Sequence, residues 1–157
     1  MGTEHYLLWK SLHILGVVLF LGNIIVTGVW KGFADSTRDW KIIVFSQRLV
    51  TYTDLIFTLT GVVLILITGT RMALLYGDFG NVKWIAWGLG LFIASGVIWV
   101  TILVPVQLIL HRMANQFQNE SQIPQGYWFY ERIWILFGIT ATVLPLMNLY
   151  WMVFKPT

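Results

Sequence analysis

Residues 84–110 read WIAWGLGLFIASGVIWVTILVPVQLIL, a run without one charged side chain or histidine. A helix needs about 20 largely apolar residues to cross a hydrocarbon core of about 30 Å, and this run exceeds that. Lipid offers no partner to backbone N–H and C=O groups, so such a run crosses as a helix. The polar–apolar alternation of a membrane β-strand is absent from it. Trp84 and Trp87 stand at its start, where aromatic side chains gather at a membrane–water interface.

Working outward, three further segments meet the same test, roughly residues 6–30, 49–75 and 127–154. Tyr6, Trp9, Trp30, Tyr76, Tyr127, Trp128, Tyr150 and Trp151 mark their ends. The expected fold is an all-α integral membrane protein, an antiparallel bundle of four transmembrane helices in a single membrane domain over 1–157. Residues 31–48, with Lys31, Asp35, Arg38, Asp39 and Lys41, are expected on the surface. Residues 76–83 read as a tight turn on Gly77, Asp78, Gly80 and Asn81, and residues 111–126 as a polar link ending in Pro124 and Gly126. Gly61, Gly69, Gly90, Ala94, Gly138 and Ala141 are small enough to let helices approach closely.

Composition agrees with that class. The chain is 57% hydrophobic and 11% charged, against about 45–50% and about 25% in soluble domains. With no cysteine, disulfides, iron–sulfur clusters, thiolate zinc and c-type haem attachment are excluded. The first apolar stretch reads as a retained helix and not as a cleaved signal. Basic residues lie mostly near helix ends, which suits a lipid bilayer as partner and no nucleic acid. Lys10, Arg71, Lys83 and Lys155 fall on the face of the termini; Lys31, Arg38, Lys41, Arg48, Arg112 and Arg132 fall on the other. The excess on the second face favours termini outside the cytoplasm.

Ionisable groups within spans are costly, so each is a functional candidate. Lys10 and His13 share a helix face at i, i+3 spacing, and His13 lies roughly 10 Å along the helix from Tyr6. Its imidazole suits haem iron; a neutral histidine bonded to a neighbouring helix is the alternative. His111 falls at the opposite end, some 20 Å or more away across the roughly 30 Å core, so both cannot reach one iron. The chain thus offers at most one histidine per haem. Arg71, Lys83, Asn148 and Lys155 share the depth of His13 and suit porphyrin propionates, or simply snorkel. Asp54 is expected to pair with Arg132 or Arg48, or else to relay protons. Asn23, at mid-membrane, reads as an interhelical hydrogen bond.

These motifs resemble a known family. Trp9-Lys10-Ser11-Leu12-His13 looks like the opening of HemJ-type protoporphyrinogen oxidases. The similarity continues at Gln47-Arg48-Leu49, Gly69, Val82-Lys83 and Lys155-Pro156, in the same order over nearly the whole chain. A nearer likeness is to a bacterial group of predicted integral membrane proteins with the same four-helix layout, related to HemJ and to copper-resistance D-like proteins. The run Val104-Pro105-Val106-Gln107-Leu108-Ile109-Leu110-His111-Arg112-Met113 resembles theirs. The HemJ resemblance implies haem b on His13, a role for Lys83, porphyrinogen oxidation and electron transfer toward quinone or the respiratory chain. Ser46 and Gln47 replace that family's glutamate and second arginine, and its paired third-helix histidines are missing near Ser95 and Trp99. The expectation is therefore a haem-b redox protein of the bacterial inner membrane, alone or as a homo-oligomer, with His13 as iron ligand and Lys10, Arg71 and Lys83 on the porphyrin. The alternative is a haem-free membrane subunit, small transporter or proton relay.

Overall fold

The structure is a computed structural model that describes residues 3–76, 82–117 and 123–155. It consists of α1 (Thr3–Ser36), α2 (Trp40–Ala73), α3 (Lys83–Ala114) and α4 (Gln125–Phe154), each long and apolar enough to cross a membrane. No strand occurs among the described residues. The turn expected on Gly77, Asp78, Gly80 and Asn81 lies outside them, as do residues 118–122 of the third link and Pro156.

The first link departs from expectation. α1 runs through Ser36 and α2 starts at Trp40, so residues 31–48 are not a surface connection. Ser36 and Thr37 hydroxyls donate to the Phe33 and Ala34 carbonyls, each at 2.7 Å, and close α1. Arg38 takes a positive φ of 58° to reverse the chain. The Asp39 carboxylate then accepts from the Lys41 N–H at 2.8 Å and caps α2. Lys31 and Asp35, which mark a helix end on a sequence, are here buried within α1. They neutralise one another and face Glu131 of α4.

The helices pair as two hairpins, α1 with α2 and α3 with α4. These join at the end away from the termini, where Trp40–Thr53 packs on Val104–Ala114. Ile43, Val106, Leu110, Ala114, Phe117 and Tyr127 form the core there. Midway, Phe20 of α1 meets Phe92 of α3 edge to face at 6.1 Å. At the terminal end Leu59–Ala73 packs on α1 and Lys83–Ile98 packs on α4, and among the described residues these pairings within each hairpin are the most extensive.

Close approach is set at particular glycines. A Cβ on Gly61 would stand 2.8 Å from the Gly16 carbonyl oxygen and the Phe20 nitrogen, both backbone atoms that cannot yield cheaply. Gly88 is likewise covered by Asn148 and Met152 of α4. Gly90 and Gly138, expected to do the same, would present a Cβ to nothing within 4 Å. They are small without lying at a crossing.

The surface is apolar and much of the interior polar. Val18, Leu136 and Val153 are exposed at 60%, 63% and 66%, while Lys31, Gln47, Thr58, Thr68, Ser95 and Glu131 are buried. This inverts the soluble pattern, as a lipid surround requires.

Two features repair the helix backbone. Pro105 has no N–H and crowds the carbonyl four residues earlier; the π-helical turn Trp99–Leu103 precedes it and takes up the mismatch. Pro145 likewise deprives the Ala141 carbonyl of its helical donor, and Ser95 Oγ of α3 donates to that oxygen at 2.8 Å. Ser95→Ala should therefore cost about 1–3 kcal/mol by orphaning a buried acceptor. Adding Pro145→Ala, which restores the N–H, should recover part of that loss. Thermal unfolding in detergent reads both; an unperturbed Ser95→Ala would contradict the assignment.

Candidate functional site

His13 lies on α1 one turn before Gly16, at the terminal end of the α1–α2 crossing. Its Nδ1 is 2.9 Å from Thr68 Oγ1 of α2. The Thr68 hydroxyl itself donates to the Leu64 carbonyl, so its single proton is committed. A ring protonated on Nδ1 donates to Thr68, with the Ile65 backbone a further hydrogen-bond partner of the imidazole, and in that neutral tautomer the lone pair is on Nε2. Gly69 makes room for the ring, since a Cβ there would stand 3.2 Å from Cε1. An imidazole oriented through one nitrogen with the other left basic is the usual arrangement of a metal-ligating histidine.

The expected cations lie toward the same end. Lys10 and Lys83 are exposed, the first one turn from His13 and the second at the start of α3. Arg71 is exposed and holds its guanidinium over the Trp9 ring at 5.9 Å from the centroid. Lys155 sits over Trp84 at 5.0 Å. Asn148 Oδ1 is buried against Gly88 and lacks a donor among the described residues. No group of three or more His, Cys, Asp or Glu side chains able to hold a metal occurs among the described residues. A metal at this end would need its remaining ligands from a macrocycle. For haem the donor set fits: one imidazole and cations toward the same end of the bundle.

Asp54 departs from expectation. Arg48 and Arg132 are exposed, and neither forms an ion pair with it among the described residues. Instead Asn23 Nδ2 of α1 donates to Asp54 Oδ1 at 3.0 Å and to Thr58 Oγ1 at 2.9 Å. Thr58 also donates to Asp54 Oδ1, at 3.1 Å. The carboxyl opens the π-helical turn Asp54–Thr58, which puts it and Thr58 against Asn23. The interhelical bond expected of Asn23 is thus present, with Asp54 as its partner.

A second cluster went unread in the sequence, because Lys31 and Asp35 were assigned to a surface connection and Tyr127 was read as an aromatic marking the start of the fourth span. Lys31 Nζ donates to Asp35 Oδ2 and to Tyr127 Oη at 3.2 Å, and stands 3.1 Å from Glu131 Oε1. The i, i+4 spacing of Lys31 and Asp35 was the available signal.

Asp54→Asn keeps the Oδ1 acceptor and removes no ion pair, so its stability should stay within about 1 kcal/mol of wild type, whereas Asn23→Leu takes the donor from Thr58 Oγ1 and the acceptor from the Thr27 hydroxyl, leaving Asp54 Oδ1 its Thr58 bond, and should cost about 1–3 kcal/mol. Thermal unfolding of both variants in one detergent checks this; a larger loss in Asp54→Asn would restore a salt-bridge role.

No curated protein and no solved structure matches the chain. Residues 7–156, which take in nearly all of the four helices, match the sequence family described as "Predicted integral membrane protein (DUF2269)". The chain, with its four apolar spans, belongs to that family of integral membrane proteins.

Proposed function

We propose that this is a haem-b-binding redox protein of a bacterial cytoplasmic membrane, with His13 as axial ligand and the termini outside the cytoplasm. The observation that carries the reading is the Thr68 contact to Nδ1, which in the Nδ1–H tautomer puts the imidazole lone pair on Nε2. Bound haem would supply one-electron exchange; the chain's part is to hold, orient and shield. Thr68 fixes the imidazole plane and keeps Nδ1 protonated. Lys10, Arg71 and Lys83 would meet the propionates near the membrane surface through charge-assisted hydrogen bonds. The HemJ-like opening Trp9-Lys10-Ser11-Leu12-His13 supports the same assignment. Its redox partner would be a porphyrinogen or, as an electron carrier, quinone, and a second copy of the chain is a natural neighbour in lipid.

A second reading, a haem-free proton relay or non-catalytic subunit, is favoured by the Asn23–Asp54–Thr58 set, which puts a carboxyl without a cationic partner inside the bundle.

Visible spectra of the protein purified in detergent, oxidised and reduced, separate the two. The haem reading expects a Soret band that His13→Ala abolishes and His111→Ala retains, and that Thr68→Val perturbs. A colourless protein after haem is supplied during expression would sink it and leave the second reading. Rescue of a strain lacking protoporphyrinogen oxidase would then assign the reaction.

A further inference from the structure

At the opposite end of the bundle, one lysine is buried with two carboxyl groups. Lys31, Asp35 and Glu131 are exposed by only 1%, 8% and 2%. The ammonium has three N–H donors. Two go to Asp35 Oδ2 and Tyr127 Oη, and the third is near Glu131 Oε1 without the alignment of a hydrogen bond. Asp35 Oδ1 and both Glu131 oxygens are buried with no donor among the described residues.

Fully ionised, the three charges sum to −1 in a place closed to water. An uncompensated buried charge costs several kcal/mol, and a buried acceptor without a donor costs more on top. The Asp35 and Glu131 carboxyls interact side chain to side chain, and Tyr127 meets Asp35 as well. One proton between the two carboxyls removes the net charge and supplies a donor where none exists. Lys31 and Asp35 are the titratable groups that face Glu131, and Tyr127 adds its phenol. Ile43 of α2, Leu110 and Ala114 of α3, and Phe117 beyond it surround the cluster with apolar side chains, and Tyr130 packs against the same core.

We propose that Asp35 and Glu131, drawn together by Lys31 and Tyr127, form a proton-binding site that holds one shared proton at the non-terminal end of the bundle. A metal cation does not suit it, since the Lys31 ammonium already occupies the position between the carboxylates. The site lies in the last turns of α1, one residue from exposed Ser36, and so near the end of the bundle rather than at its middle. Asn23 and Thr27 continue the same stripe at four-residue intervals, with Thr27 donating to Asn23 Oδ1 at 3.4 Å. A proton taken up here therefore has polar groups leading inward as far as Asp54.

Infrared spectroscopy of the full-length protein in detergent at neutral pH tests this. The expected result is the carbonyl stretch of a protonated carboxyl, shifted by deuterium exchange, that is lost in Glu131→Gln and in Asp35→Asn. In each single variant the remaining carboxylate would simply pair with Lys31. The band should persist in Asp54→Asn, which leaves the cluster untouched and keeps the measurement decisive if the cluster variants do not fold. No protonated-carboxyl band in Asp54→Asn, or a band that Glu131→Gln and Asp35→Asn both retain when folded and combined with Asp54→Asn, would overturn the proposal.

Discussion

Lipid supplies no hydrogen-bond partner, and that constraint organises this protein from the backbone outward. Every polar side chain carried into the bilayer must find its complement on another helix or on its own. The interior is accordingly the polar part of the molecule. Ser95 serves the carbonyl that Pro145 leaves vacant, Asn23 serves Asp54 and Thr58, Thr68 serves His13, and Lys31 serves Asp35 and Glu131. Most of these bonds join different helices, so they fix which helix lies beside which. Apolar packing adds to them at the Ile43–Leu110–Tyr127 core, at the Gly16–Gly61 crossing, between Phe20 and Phe92, and where Met152 covers Gly88.

This arrangement gives the bundle two unlike ends. Where the hairpins are joined, the interior is closed by aromatic and aliphatic side chains over a buried charge cluster. Where the termini lie, exposed cations gather, and His13 is held against Thr68 of α2. A redox cofactor at one end and a proton site at the other would place electron and proton chemistry on opposite sides of one membrane, with the stripe from Asp35 to Asn23 between them.

How much of this was legible depends on whether a residue's partner is near in sequence. Spans are local: hydropathy over about 20 residues and interfacial tryptophans suffice. The role of Asn23 was readable because a mid-membrane amide has few alternatives. Lys31 and Asp35 were not, because a charged run after Trp30 reads as a helix end, and the carboxyl that allows it to be buried is on α4. Asp54 was assigned an arginine because charges in spans usually pair, but the π-helical turn rotates it toward Asn23. Gly16 and Gly88 show the same limit from the side of shape. Size marks a glycine as permissive, yet only the crossing geometry decides that Gly61 is covered and Gly90 is open.

The central claim is that charge is carried inside the bundle and satisfied there. Amine-reactive labelling of the native protein in detergent, followed by mass spectrometry, tests it at Lys31. Lys10, Lys41, Lys83 and Lys155 are exposed, while Lys31 is 1% exposed. The account predicts rapid modification of those four and protection of Lys31 until the protein is unfolded. Modification of Lys31 at the rate of Lys41 would contradict it.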